Sequence, residues 1–323
     1  MSATHRPAPA VDPALQGVLD DLHVNLSPTV RPEDLDAVRA GGLTPPLQDI
    51  LRNRSVRSED RRIPGPDGAP DVLLSILRSD RQTPPGPGIV FFHVSGNIFG
   101  DRFTGIAPIV DYVEQLGAVV VTVEYRLAPE HPAPAALDDA YAALTWTSKH
   151  AGELGFDPAK LLVAGISAGG GLAAAVTLRA RDEGLPVIAG SLLLSAGLDE
   201  RNDTTSSHQI DGIALWDRTS NDTGWDLLLG DRRGTDDVPA HVSPSRTADV
   251  SGLPPTYIDV GSVDTFRDED VAYASAIWAA GGDAELHVWP GGYHLFELLA
   301  PHAPVSIRAR EARLAWIRQL LSR

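Results

Sequence analysis

The apolar positions of this chain follow two rhythms. Val72-Leu73-Leu74-Ser75-Ile76-Leu77, Ile89 to His93, Val119 to Glu124, Leu161 to Ile166 and Ser191 to Ser195 are short, nearly continuous apolar runs rich in Val, Ile and Leu. Runs of this kind predict strands buried on both faces. Between them, Ala135 to His150 and Gly171 to Arg181 repeat apolar residues at helical spacing. Strands alternating with helices predict an α/β fold, a mostly parallel central sheet with helices on both faces. Thr256-Tyr257-Ile258-Asp259-Val260 and the alternating Glu285 to Trp289 extend the strand series, and Val305 to Leu321 reads as an Arg-bearing amphipathic helix that covers the sheet. Before about Arg54 the pattern is helical with breaks. Leu15, Val18, Leu19 and Leu22 make one stripe, and Pro32-Glu33-Asp34-Leu35 marks a helix start.

The stretch from Asp199 to about Val238 interrupts this alternation. Polar Arg201 to Ser207 is followed by Ile213, Leu215, Trp216, Trp225, Leu227 and Leu228 at helical spacing, residues expected to pack in a core or a cap.

Chemistry enters at Gly165-Ile166-Ser167-Ala168-Gly169, which follows the apolar run Leu161 to Ala164 and precedes the helical run Leu172 to Val176. A serine flanked by glycines between a strand and a helix is the pattern of a nucleophile elbow. The turn is so tight that the residues two before and two after the serine must lack bulk. Ser167 is the expected nucleophile, held at the carboxyl end of the sheet over a helix N-terminus that favours developing negative charge.

A serine hydroxyl needs a base to take its proton and an acid to orient that base. The expected chain order is serine, acid, histidine. Of ten histidines, His208, His241, His287, His294 and His302 lie beyond Ser167. His287 reads as a strand residue on the polar face. His294 follows that strand in Pro290-Gly291-Gly292-Tyr293-His294, read as a glycine-rich loop able to fold over the sheet's edge, and His302 between two prolines is the runner-up. Asp264 is the first carboxylate past the strand Thr256 to Val260, so it is the expected acid. Asp268, Glu269 and Asp270 precede the apolar pattern of Val271, Ala274, Ile277 and Trp278 and read as helix N-terminal acids that complement the dipole.

Together with these residues, Phe91-Phe92-His93, Gly100-Asp101, Tyr125-Arg126-Leu127-Ala128-Pro129-Glu130-His131-Pro132, Ala135-Ala136-Leu137-Asp138-Asp139 and Arg267-Asp268-Glu269 carry a resemblance. From about Val56 onward the chain resembles the hormone-sensitive-lipase-like branch of the α/β-hydrolases, the bacterial family IV esterases. The resemblance implies an α/β-hydrolase fold with a catalytic core of about 54–198 and 239–323 and a helical cap of about 1–50 and 199–238. It implies a serine carboxylesterase that works through an acyl-enzyme intermediate without a cofactor or metal. Ser167, Asp264 and His294 would form the triad, and the backbone amides of Ser95, Gly96 and Ala168 the oxyanion hole. It also implies a homodimer contact along the last strand's edge, Ala284 to Trp289.

Members usually carry His-Gly-Gly-Gly and an aromatic where this chain has His93-Val94-Ser95-Gly96-Asn97. They usually have Asp at the position of Ile166 and often Gly at that of Leu295. Ser95 is read as acting through its amide, so changing its side chain is expected to matter less than deleting the donor, and Ser95→Gly to preserve or raise activity. Asn97, in the aromatic's place, is expected to face substrate. Leu215 and Trp216 from the cap, Leu198, Tyr293 and the bulkier Ile166 and Leu295 complete the expected substrate contacts. The added bulk implies short acyl chains of about two to six carbons, since overfilled pockets reject extra methylenes. The same machinery also suits acyl transfer to an alcohol or amine, amide or lactone cleavage, or non-catalytic ligand binding on a hydrolase scaffold.

Composition narrows the partners. At 323 residues with 43% apolar and 22% charged content, the chain suits a globular protein with a large core. A net charge of −16 argues against a nucleic-acid partner, because phosphate neutralisation needs clustered Lys and Arg. The absence of cysteine excludes disulfides and a thiol nucleophile. Met1 to Gln16 lacks a basic-then-apolar leader pattern and no run approaches a membrane span, so cytoplasmic residence with a small-molecule ester as partner is the expectation.

Overall fold

The computed structural model describes residues 7–25, 27–41, 44–66, 68–80 and 85–323. The expected amino-terminal cap segment therefore lies partly outside the described residues. Eight strands form one sheet: β1 (Val56–Ile63), β2 (Val72–Ser79), β3 (Pro87–Phe92), β4 (Val119–Glu124), β5 (Asp157–Ile166), β6 (Gly190–Leu194), β7 (Thr256–Val263) and β8 (Ala284–Tyr293). Their order is β1-β2-β4-β3-β5-β6-β7-β8, with β1–β2 and β2–β4 antiparallel and every other pairing parallel. The helices among the described residues are α1 (Pro13–Asn25), α2 (Leu35–Ala40), α3 (Leu47–Ile50), α4 (Ala107–Leu116), α5 (Ala135–Lys149), α6 (Ala151–Leu154), α7 (Ala168–Glu183), α8 (Thr205–Gln209), α9 (Arg218–Leu229), α10 (Arg267–Ala279), α11 (Phe296–Leu299) and α12 (Pro304–Leu321). None of them is long and apolar enough to cross a membrane.

The continuous apolar runs become strands because both faces are covered. Successive side chains point to opposite sides of a strand. Val90, Phe92, Val121, Val163 and Leu193 therefore pack in one layer with Leu137 and Leu144 of α5, Val176 of α7 and Ile277 of α10. Ile89, Phe91, Val120, Leu162 and Leu192 form the other layer with Ile109 and Val113 of α4 and Trp316 and Ile317 of α12. Closing both layers puts the carboxyl ends of β3, β5, β6, β7 and β8 along one edge, the usual ligand edge of such sheets.

Two elements depart from the sequence reading. β1 has no apolar run: Val56 and Ile63 at its ends are its only buried residues, so it is a solvated antiparallel edge. β8 runs through Tyr293, so Pro290 to Tyr293 continues the strand instead of forming a loop. Gly291 takes a left-handed φ of +71°, and the β7–β8 register shifts between Gly261 and Val263, which lets the strand bend without ending.

The amino-terminal helices and the Asp199–Val238 stretch meet. Leu15 and Leu19 of α1 pack with Ile210 and Ala214, and Leu35 of α2 joins Trp216, Trp225 and Leu228. The Val30 amide donates to Ser220 Oγ (2.8 Å), and His23 Nε2 lies 2.6 Å from the Ala214 carbonyl oxygen.

Candidate active site

Ser167 ends the β5 turn with φ 61° and ψ −128°, a left-handed conformation that non-glycine residues rarely adopt. The flanking glycines are steric necessities. A Cβ at Gly165 would lie 1.9 Å from the Gly169 carbonyl oxygen, and one at Gly169 would lie 2.2 Å from the Phe92 carbonyl oxygen. The turn is held by the Ser167 amide donating to the Leu194 carbonyl (2.9 Å) and by the Ser167 carbonyl accepting from the Gly171 and Gly197 amides (3.1 Å each). Backbone strain of this kind costs about 1–3 kcal/mol and persists only where the surroundings over-determine it.

Asp264 directly follows β7 and His294 directly follows β8. His294 Nε2 lies 2.9 Å from Ser167 Oγ, and His294 Nδ1 lies 3.0 Å from Asp264 Oδ2. A carboxylate can only accept, so Nδ1–H donates to Asp264 and Nε2 is left to accept the Ser167 proton. The other Asp264 oxygen accepts from the Phe266 amide at 3.0 Å. All three side chains are almost fully buried, at 0–2% exposure, which removes water as a competitor for these bonds. The Phe266 ring meets the imidazole edge-on with centroids 5.2 Å apart.

The turn between β3 and α4 faces the elbow. Gly96 (φ +51°), Asn97 (φ +70°), Gly100 (φ +87°) and Gly105 (φ +81°) take its left-handed positions, so β-branched Val94 is spared them. His93 is fully buried, and burial holds its imidazole below its ordinary pKa, so it is neutral. Its Nδ1–H donates to the Val94 carbonyl at 3.0 Å.

Two adjoining cavities open here. The smaller is bounded by Gly96, Asn97, Ser167, Ala168, Trp216 and Phe266. The larger shares Asn97, Ala168, Gly197 and Trp225 with it and is walled by Leu127, Leu137, Leu172, Leu228 and Val242. Of the expected substrate contacts, Asn97 and Trp216 line these spaces. Ile166, Leu198 and Tyr293 do not: each is fully buried in a core layer. Ile166 is the last residue of β5, and strand alternation turns it into the α4–α12 layer with Leu162 and Ala164. Leu215 and Leu295 are half-buried and line neither cavity, Leu295 packing against that same layer. Trp225 and Leu228 were legible as apolar helix residues, but only the placement of α9 over the elbow makes them cavity walls.

Asp268, Glu269 and Asp270 lie in the first turn of α10, as expected of helix N-terminal acids, but Glu269 and Asp270 do not cap it. They are 4% and 0% exposed and reach across to the loop after β6, where Leu198 N–H donates to Glu269 (3.3 Å) and Ala196 N–H donates to Asp270 (3.1 Å). Burial pushes both carboxyls well above their ordinary range, and the Asp270 charge adds to the effect on Glu269. Stability is full below the ordinary carboxylate range and falls as pH rises toward the raised folded values, because the unfolded chain releases its protons first. Asp270→Asn keeps an acceptor for the Ala196 amide and removes the titrating group. Thermal midpoints at about pH 5 and pH 8 should then differ less in the variant than in the wild type; an unchanged difference would count against this account.

Comparison with known proteins agrees with this architecture. Residues 89–298 match a family model described as alpha/beta hydrolase fold. The chain is 32% identical to Esterase LipI of Mycobacterium tuberculosis, over 97% of this chain and 96% of that one. It is also 32% identical to Carboxylesterase NlhH of the same species, over 97% of each. A solved structure titled Bacterial Heroin Esterase superposes with a TM-score of 0.89 at 36% identity, covering 97% of this chain and 98% of that one. With its mostly parallel sheet, its serine elbow and these relatives over nearly its full length, the chain belongs to the α/β-hydrolase family, in the hormone-sensitive-lipase-like branch.

Proposed function

We propose that the protein is a serine carboxylic ester hydrolase that works through an acyl-enzyme intermediate, with Ser167 as nucleophile, His294 as base and Asp264 as its orienting acid. The observation that carries this reading is the buried hydrogen-bonded series Ser167–His294–Asp264, whose serine lines the smaller cavity. As Ser167 Oγ bonds to the ester carbonyl carbon, its proton passes to His294 Nε2, and Asp264 stabilises the imidazolium. The carbonyl oxygen gains negative charge and is received by the amides of Ser95, Gly96 and Ala168. His294 returns the proton to the departing alkoxide, which leaves as alcohol. Water then gives a proton to His294, adds to the acyl carbon, and the acid departs as Ser167 is reprotonated. No cofactor takes part. The amino-terminal helices and the Asp199–Val238 stretch act as the cap, and the exposed edge of β8 is the surface proposed for a homodimer.

The smaller cavity would take the acyl group, and its limit is set by Trp216, Trp225 and Phe266 instead of Ile166 and Leu295. The larger, apolar cavity would take the alcohol portion. Acetate and butyrate p-nitrophenyl esters should exceed the dodecanoate ester in kcat/KM by at least about tenfold, since each methylene that does not fit costs about 1–3 kcal/mol. Faster turnover of dodecanoate would overturn the acyl assignment. A purified protein that neither hydrolyses any ester of this panel nor reacts with a fluorophosphonate would overturn the functional reading itself.

A further inference from the structure

We propose that the Ser95 side chain, and not only its amide, is a positioning element of the oxyanion-binding turn, acting in a proton-ordered chain that runs Asn97 N–H, Ser95 hydroxyl, Tyr125 hydroxyl, His93 carbonyl. This inference rests on the ester-hydrolase reading above and deepens it.

Ser95 is fully buried. Its Oγ lies 3.1 Å from the Asn97 amide nitrogen and 3.0 Å from Tyr125 Oη, and Tyr125 Oη lies 2.8 Å from the His93 carbonyl oxygen. Proton accounting orders these contacts. The phenol has one proton and the carbonyl has none, so the tyrosyl proton goes to His93. The contact between Ser95 and Tyr125 then uses the serine proton, and a serine lone pair accepts from Asn97 N–H. Each hydroxyl donates once and accepts once, with no donor wasted. Burial pushes the Tyr125 phenol well above its ordinary pKa, so the chain keeps its protons across the working range. The Tyr125 ring also stacks on the His93 imidazole, with centroids 4.2 Å apart and planes 17° apart.

The chain therefore ties both sides of the turn to one side chain. His93 leaves β3 and Tyr125 leaves β4, so the anchor is the sheet itself. From the cap side the turn is clamped by contact. A Cβ at Gly224 would lie 2.4 Å from the Gly96 carbonyl oxygen, and one at Gly96 would lie 2.5 Å from the Trp216 ring. Between the two clamps, the Ser95 and Gly96 amides donate to no acceptor among the described residues. Donors kept free and fixed are what an oxyanion site requires, because they then need no reorganisation during the reaction. The Asn97 N–H bond to Ser95 Oγ also helps hold Asn97 at a φ that an L residue resists. Glycine at position 95 would lose both bonds of the Ser95 hydroxyl and so uncouple Asn97 from Tyr125, so Ser95→Gly should lower activity, contrary to the reading of that side chain from sequence alone.

The test compares Ser95→Ala, Ser95→Gly, Tyr125→Phe and the Ser95→Ala/Tyr125→Phe double variant on p-nitrophenyl butyrate. A trifluoromethyl ketone, which adds to Ser167 and places an oxyanion in the site, serves as the second readout. Misaligning the donors should cost less than deleting one, so each single variant should lose about 10- to 100-fold in kcat, against the 10²–10³ of a removed donor. KM should stay within about twofold and adduct affinity should fall in step with kcat, the signature of stabilisation made only in the transition state. The double variant should be no worse than the poorer single, since both break the same chain. Tyr125→Phe removes one oxygen from a stacked ring and keeps the test open if the Ser95 variants fold poorly. Wild-type kcat in Tyr125→Phe, single losses that multiply in the double variant, or a raised KM with unchanged kcat would each overturn the proposal. An inactive wild type would overturn the functional reading and this one with it; an active wild type beside unchanged variants overturns this one alone.

Discussion

Ser167→Ala should lower ester turnover by about 10⁴–10⁶-fold and abolish fluorophosphonate labelling. The size of the effect follows from how little else at the site can replace the hydroxyl. The chain contains no cysteine, and the proposed activation of the hydroxyl runs through the 2.9 Å contact between Ser167 Oγ and His294 Nε2. Alanine preserves the elbow. It is smaller than serine, tolerates the same left-handed backbone no worse, and leaves the Gly165 and Gly169 approaches intact. The one new liability is an unpaired His294 Nε2 in a buried site, a cost of about 1–3 kcal/mol. Circular dichroism should therefore report a folded protein while active-site titration with the probe reports no reactive serine. Hydrolysis persisting at a near wild-type rate in the purified variant would rule Ser167 out.

The largest effect on stability is expected at Arg313. This residue of α12 is 1% exposed and places Nε and Nη2 at 2.7 and 2.8 Å from the two oxygens of Asp259, while Nη1 is 3.0 Å from Glu297. Asp259 lies on β7 and Glu297 on α11, so one guanidinium joins the sheet, the last helix and the short helix that follows His294. Burial opposes the charge on Arg313, but its carboxylate neighbours hold it well above its ordinary pKa. Arg313→Leu would leave buried carboxylates with no cation. Breaking a buried pair in this way costs about 3–5 kcal/mol. For a chain of this length that corresponds to a fall of about 4–7 °C in thermal midpoint. Burial already raises the pKa of Asp259, and losing Arg313 would raise it further. A carboxyl with a raised folded value supports stability at low pH and loses that support as pH rises, so the deficit should be larger at pH 8 than at pH 5. Replacing all three residues with Leu, Asn and Gln should recover much of the loss, because the unpaired charges are then gone. A midpoint unchanged in Arg313→Leu would show that the buried network contributes nothing.

Much of this molecule is legible in its sequence. Runs such as Ile89 to Phe92 and Leu161 to Ile166 read as buried strands because they are short, continuous and apolar and alternate with helical stretches. The elbow is readable because sterics force both glycines: a Cβ at Gly165 would strike the elbow's own Gly169 carbonyl, and one at Gly169 the Phe92 carbonyl of β3. Asp264 and His294 were readable from their order after successive strands. In contrast, β1 carries no sequence signal because a solvated edge strand needs no apolar run, and the end of β8 reads as a loop because it bends at Gly291.

What only the tertiary structure decided is which side of each element meets the cavity. Ile166 and Tyr293 adjoin the expected nucleophile and base in sequence but turn into core layers, whereas Trp225 and Leu228 stand more than fifty residues away and wall the site. Glu269 and Asp270 face a loop amide from another strand, and Ser95 finds Tyr125 through the neighbouring β4. Periodicity along the chain specifies an element's type and its apolar face, because those depend on local backbone geometry and on burial as such. Which neighbour covers that face, and which hydrogen-bond partner meets each polar group, depends on contacts between residues far apart in the chain. The physics of close packing settles them only when the layers close.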